Sequence, residues 1–132
     1  MKDTIILIAG LYNILFAIFH LGFWKLFKWR TELTKLGFPN KGIMQVLNIQ
    51  LMFYFLFVAF VCFAFKTELQ TTRLGHAFML GNSIFWFIRT INQFIFLRAK
   101  NSANHLSTII FILLTIIFIL GTIIFAIPLI IH

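Results

Sequence analysis

Four long apolar stretches dominate the sequence, and each is long enough to cross a lipid bilayer as a helix. A spanning helix needs roughly 20 mostly apolar residues to cover a hydrocarbon core of about 30 Å. Continuous apolar runs without polar alternation must satisfy their backbone groups internally once water is absent, so helices are predicted rather than strands. The sequence therefore predicts an all-α membrane protein, with a four-transmembrane-helix bundle forming one domain over 1–132 and spans at 5–24, 43–65, 74–97 and 106–131.

The composition supports the same class. Hydrophobic residues make up 61% of the chain and charged residues only 11%, which is too apolar and too poor in charge for a soluble domain of this length. The lone cysteine, Cys62, excludes an intrachain disulfide and a CxxC metal or redox motif. In the fourth span, Thr108, Thr115 and Thr122 recur every seven residues and predict a narrow seam for close helix contact, inside the bundle or against another subunit.

Basic residues are distributed unevenly between the connections that join the spans. By the positive-inside rule, short loops rich in Lys and Arg face the cytoplasm. The sequence thus predicts a multi-pass protein with both termini on the non-cytoplasmic side. The basic residues on the predicted cytoplasmic side are Lys25, Lys28, Arg30, Lys35, Lys41, Arg98 and Lys100, and those on the other side are Lys2, Lys66 and Arg73.

The connection after the first span carries an amphipathic pattern over residues 23–36. Basic side chains fall on one helical face and apolar side chains on the other, which predicts a basic amphipathic interfacial helix beneath the inner leaflet. Tryptophans would lie at headgroup level, and the lysines would meet anionic lipid of the cytoplasmic leaflet. A docking surface for another protein is the alternative. The predicted membrane-interface residues are Lys25, Lys28, Lys35, Trp24 and Trp29.

Polar side chains within the spans concentrate in the half of the membrane nearer the cytoplasm. Such groups are costly in hydrocarbon and mark packing or functional sites. At a rise of about 1.5 Å per residue, Arg89 lies about 12 Å from the cytoplasmic end of its span. Three helices can point polar stripes at one place, since these residues recur at helical spacing. The predicted ligand-binding cluster comprises Arg89, Gln93, Asn48, His20, Gln45, Asn13 and Trp86.

Arg89 is the single residue most indicative of a functional site, because it is the only charged residue well inside a span. The acids of the chain, Asp3, Glu32 and Glu68, all lie in tails or connections. The arginine must therefore be balanced by side-chain amides such as Asn48 and Gln93, by carbonyls, by a folded-back Glu32, or by a group outside this chain. Three roles remain open: an arginine that fixes the bundle, a site for an anionic or polar ligand, and a contact with a partner subunit.

Catalysis has little support in the sequence. No Ser-His-Asp, HExxH, Walker A or GxGxxG pattern is present. The lack of intramembrane carboxylates argues against proton-coupled carriers and carboxylate metal sites. The alternative is a membrane redox or enzyme module that binds haem b, a quinone or a thiol substrate at His20 and Arg89. Haem b held between His20 and His105 is one form of it.

Four short runs lie at residues 9–13, 20–27, 40–48 and 85–89. They resemble a group of short bacterial membrane proteins of uncharacterised role. The resemblance covers the first three spans and implies a four-helix protein of the bacterial inner membrane, with no activity or cofactor attached. The polar cluster around Arg89 leads us to expect a small non-enzymatic accessory subunit, or a protein that binds lipid or an anionic ligand on the cytoplasmic side. Its expected partners are membrane lipids, a larger membrane complex or another copy of itself, and not nucleic acid.

Overall fold

The computed structural model describes residues 1–97 and 105–131, with side chains in the second range described from residue 108 onward. Within these ranges all regular structure is helical. The four predicted spans each correspond to one long helix, and the connections carry short helical pieces. In chain order the elements are α1 (Lys2–Leu21), α2 (Phe23–Leu26), α3 (Trp29–Glu32), a 3₁₀ turn (Leu33–Lys35), α4 (Asn40–Ala64), α5 (Lys66–Thr71), α6 (Arg73–Phe96) and α7 (His105–Ile130).

Three helices in the described part of the chain are long and apolar enough to cross a membrane: Lys2–Leu21, Asn40–Ala64 and Thr108–Ile130. Most of their surface is apolar and uncovered; only 22% of the most apolar stretch of α7 is buried. The helix predicted as the third span, α6, has 24 residues but is not among the three. Its asparagines, histidine, arginine and glutamine lower its hydropathy. The all-helical prediction is confirmed.

The chain folds as two compact units. The first contains Met1–Ala9 and the residues from Phe65 onward, so that it holds α5, α6 and α7. The second is Gly10–Ala64, which contains the rest of α1, the short helical pieces and α4.

In the first unit, α6 and α7 pack antiparallel. The Ser83 hydroxyl donates to the Thr122 carbonyl across the pair at 3.0 Å, and the Phe94 ring meets Phe111 edge-on with centroids 5.6 Å apart. This contact places the Thr122 turn of the small-residue seam against α6. The seam is not uniformly covered, because Thr108 is exposed.

A tight junction joins α5 to α6 in the same unit. Thr72 has an extended backbone and caps α6, since its hydroxyl oxygen accepts a hydrogen bond from the Gly75 amide at 2.9 Å. Gly75 lies so close to α5 that a Cβ atom there would overlap the Glu68 carbonyl oxygen and the Leu69 backbone. Glycine at residue 75 is therefore required by the close approach of two backbones.

The core of the second unit lies between the end of α1 and α4. Phe16 and Phe55 are buried and their rings pack at a centroid distance of 5.5 Å. Asn48 on α4 donates from Nδ2 to the His20 carbonyl at 3.1 Å, so a polar bond crosses between the two helices. The Asn48 amide thereby satisfies one of the carbonyl groups in the last turn of α1, which have no hydrogen-bond donor within the helix.

The prediction of a single interfacial helix over residues 23–36 is wrong. The segment forms α2, α3 and a 3₁₀ turn, and the break lies at Lys28, whose backbone is left-handed with φ 49° and ψ 42°. A non-glycine residue adopts this conformation at a cost, so the surrounding bonds must hold it. The Lys28 carbonyl accepts from the Thr31 amide, the Glu32 amide and the Thr31 hydroxyl.

Candidate functional site

Arg89 lies half-buried on α6, in the contact between α6 and α7. Its guanidinium carbon stands 4.3 Å from the centroid of the Phe118 ring, within the range of a cation–π interaction. Its Nη1 donates to Gln93 Oε1 at 3.4 Å, which is longer than the usual 2.7–3.2 Å of an N–H···O bond. The arginine is therefore shielded by a ring and held weakly by one amide.

Gln93 and Trp86 share the face of α6 that carries Arg89, one helical turn away on either side. Both are buried, and Trp86 stacks on the same Phe118 ring at a centroid distance of 5.9 Å with an interplanar angle of 25°. The structure thus brings together three of the predicted cluster residues. It adds Phe118, which the sequence did not single out because the register between two apolar helices is not visible in one chain.

His20, Asn48, Asn13 and Gln45 belong to the second unit. The His20 Nδ1 lies 3.0 Å from the Phe16 carbonyl oxygen; since a carbonyl only accepts, Nδ1 carries the proton. The imidazole stacks on Phe23 at 4.4 Å. Asn48 is bonded to the His20 carbonyl, Asn13 is buried on α1 and Gln45 is half-buried on α4. His20 and Asn48 are therefore neighbours, and the His20 ring packs against Phe23 and Phe55.

The acids take local partners. Glu32, which the sequence offered as a counter-ion for Arg89, pairs with Lys35 at 2.8 Å, and both side chains are exposed. Asp3 pairs with Lys66 at 3.2 Å and accepts from Gln70 Nε2 at 2.6 Å. No described ion pair involves Arg89, so in the described part of the chain its balance comes from an amide oxygen and an aromatic face.

No group of three or more His, Cys, Asp or Glu residues within the described ranges has the geometry to hold a metal ion. The haem prediction needs two histidines. The side chain of His105, its second predicted ligand, lies outside the described residues, as do Arg98 and Lys100 of the same connection.

The predicted membrane-interface residues are divided by the break at Lys28. Trp24, Lys25 and Lys28 line one open depression with a volume of about 660 Å³, together with Arg30 and Thr31. The amphipathic pattern predicts no site role for Arg30 and Thr31, because a continuous helix would point them away from Lys25. The remaining two predicted residues differ: Trp29 is buried, and Lys35 pairs with Glu32.

Comparison with known proteins adds no assignment. No protein-family model, no curated protein and no solved structure matches this chain.

Proposed function

We propose that the chain crosses the bilayer four times in a bacterial inner membrane, with α6 as the third crossing and both termini on the non-cytoplasmic side. A helix of 24 residues is about 36 Å long, which exceeds the hydrocarbon thickness of about 30 Å. Arg73 lies at the start of α6, so Arg89 is the single charge within its length. The distribution of Lys and Arg between the connections supports this orientation.

We further propose that the protein is not an enzyme and binds an anionic membrane ligand through Arg89. The observation that carries the proposal is the mismatch between donors and acceptors at this side chain. A guanidinium offers five N–H donors, whereas the described residues supply one acceptor, Gln93 Oε1, at 3.4 Å. An acidic amphiphile whose carboxylate or phosphate reaches this depth would accept two parallel bonds from the fork.

The surroundings of Arg89 favour an anion over a neutral ligand. A cation in a membrane interior is costly unless an opposite charge or a carbonyl pairs with it. The Phe118 face recovers part of that cost and also covers one side of the guanidinium. The ring supplies no anionic oxygen, so the guanidinium N–H donors beyond the one bonded to Gln93 are available to an anionic ligand.

An accessory subunit would use the same chemistry, with the anion supplied by an Asp or Glu in a partner's transmembrane helix. The redox or enzyme alternative, with haem b, a quinone or a thiol substrate at His20 and Arg89, has a different signature. A visible absorption spectrum of the purified protein, with and without added haem, tests its haem form.

The test compares wild type with Arg89→Gln and with Arg73→Gln, a control that removes the same charge from the exposed start of the same helix. Native mass spectrometry of protein purified in mild detergent, with extraction of bound lipid, identifies the ligand. We expect wild type and Arg73→Gln to retain an acidic amphiphile that Arg89→Gln loses at unchanged helicity. A co-purifying subunit lost only from Arg89→Gln would assign the anion to a partner. Identical bound anions in all three proteins would refute the proposal.

A further inference from the structure

The depression in the second unit combines three cations with an aromatic edge. It is lined by Trp24, Lys25, Lys28, Arg30 and Thr31, with no acidic residue among them. All five side chains are exposed. Neither the two lysines nor Arg30 has an ion-pair or hydrogen-bond partner among the described side chains. The nearby acid, Glu32, is bonded to Lys35. The depression therefore carries three uncompensated positive charges.

The backbone holds these cations in place. In a continuous helix Arg30 would lie about 140° around the axis from Lys25, at 100° per residue. The left-handed conformation at Lys28 ends α2 and redirects the chain, so that both side chains border the same depression. Three hydrogen bonds to the Lys28 carbonyl, two of them from Thr31, stabilise this turn. Thr31 acts as a positioning residue, because its hydroxyl proton is directed to that carbonyl.

We propose that this depression binds a phosphate group, and that the phosphate belongs to the headgroup of an anionic phospholipid. Arginine forms two parallel bonds to phosphate oxygens, and lysines add point charges around them. The volume of about 660 Å³ falls within the range of about 300–1,000 Å³ that ligand pockets occupy. A whole headgroup therefore fits, and not only its phosphate.

The surroundings favour a lipid over a soluble phosphate compound. Trp24 is 45% exposed at the edge of the depression and meets Trp29 edge-on at 5.9 Å. Tryptophans of this kind lie at the headgroup level of membranes. Leu26 and Phe27, in the same short segment, are also exposed and offer apolar surface to the acyl region. This site is separate from Arg89 and does not depend on the function proposed for it.

The experiment titrates purified protein in mild detergent with short-chain phosphatidylglycerol and with phosphatidylcholine, followed by native mass spectrometry. One variant combines Lys25→Gln, Lys28→Gln and Arg30→Gln. The control combines Lys2→Gln, Lys41→Gln and Arg73→Gln, which removes the same three charges elsewhere. Circular dichroism verifies equal helicity. Glycerol 3-phosphate and oleate serve as competitors, because one carries the phosphate without the lipid and the other an anion without the phosphate.

We expect wild type to bind phosphatidylglycerol in preference to phosphatidylcholine. The depression variant should bind phosphatidylglycerol at least tenfold more weakly, because each basic residue at an anionic membrane surface contributes about 1 kcal/mol to binding. The control should stay within about threefold of wild type. Displacement by glycerol 3-phosphate would support the phosphate site and reassign its ligand to a soluble compound. Equal displacement by oleate in the Arg89→Gln protein, which lacks the other proposed anion site, or equal losses in both triple variants, would overturn the proposal.

A second measurement applies if the depression variant loses helicity. Wild-type binding of phosphatidylglycerol should weaken steeply as salt is raised from 50 to 500 mM, since exposed charges are screened within about 10 Å at 0.1 M. Arg89→Gln, in the other unit, should bind phosphatidylglycerol at this site as wild type does. Binding that is independent of salt would contradict the charge-based recognition.

Discussion

The contact between Arg89 and the Phe118 ring should contribute measurably to stability, and a double-mutant cycle isolates it. Cation–π interactions contribute about 0.5–1 kcal/mol when exposed and about 2 kcal/mol when desolvated. Arg89 is half-buried and stands 4.3 Å from the ring centroid, so we expect a coupling energy of about 1 kcal/mol. The long bond to Gln93 remains in the Phe118 variant and does not enter the coupling.

The cycle uses Arg89→Met, which keeps a flexible unbranched side chain without the charge, and Phe118→Leu, which keeps an apolar side chain. Unfolding by sodium dodecyl sulfate in mixed micelles, followed by circular dichroism, gives the free energy of unfolding of each variant. A control cycle pairs Arg89→Met with Phe111→Leu, on the same helix but against Phe94. Its coupling should stay within about 0.3–0.5 kcal/mol. Equal coupling in the two cycles would refute the assignment of the ring contact.

Two further predictions concern the junction between α5 and α6. Gly75→Ala should lower the free energy of unfolding by about 1–3 kcal/mol, because the new Cβ meets backbone that cannot rotate away. Gly81 is the control, because a Cβ there would meet nothing within 4 Å. Gly81→Ala should leave the free energy of unfolding unchanged or slightly raised. A loss at Gly81 as large as that at Gly75 would contradict this. Thr72→Ala should lower the free energy of unfolding by about 1 kcal/mol, because the cap is lost. Thr72→Ser keeps the hydroxyl and should retain most of the wild-type stability. Equal losses of stability in the alanine and serine variants, in the same assay, would show that the cap is not the cause.

The long helices follow closely from the sequence. Each predicted span agrees with one observed helix to within three residues at either end, because a run of apolar residues must be helical to bury its backbone groups in hydrocarbon. The short α5 was missed. Five of its six residues, Lys66–Thr71, are polar. Leu69 alone gives no apolar periodicity, and the helix is held by contact with Gly75.

The segment after α1 shows where periodicity fails. An amphipathic pattern over 23–36 is the same whether the helix is continuous or broken, and no glycine or proline marks the break. Three donors converge on the Lys28 carbonyl and stabilise its left-handed conformation, and this arrangement exists only once the turn has formed. The sequence therefore identifies Arg30 as a charge that orients the protein but not as part of a site.

Part of the cluster around Arg89 can be predicted from the sequence. The spacing of four between Arg89 and Gln93 predicts that the two share a helix face, and the structure joins them. Phe118 could not be chosen, because many phenylalanines occupy the spans and only the packing of α6 on α7 selects one. A charged residue in an apolar segment can thus be identified from the sequence, whereas the aromatic residue that packs on it cannot.

The role proposed for Arg89 depends on α6 crossing the membrane, so the most direct test locates the two ends of that helix. Single cysteines are placed at Thr71→Cys and Leu97→Cys in a Cys62→Ala background, and intact cells are treated with a membrane-impermeant maleimide before and after permeabilisation. Four crossings predict that Thr71→Cys is labelled in intact cells and Leu97→Cys only after permeabilisation. Labelling of both cysteines from the same side would show that α6 does not span the bilayer, and would contradict the account.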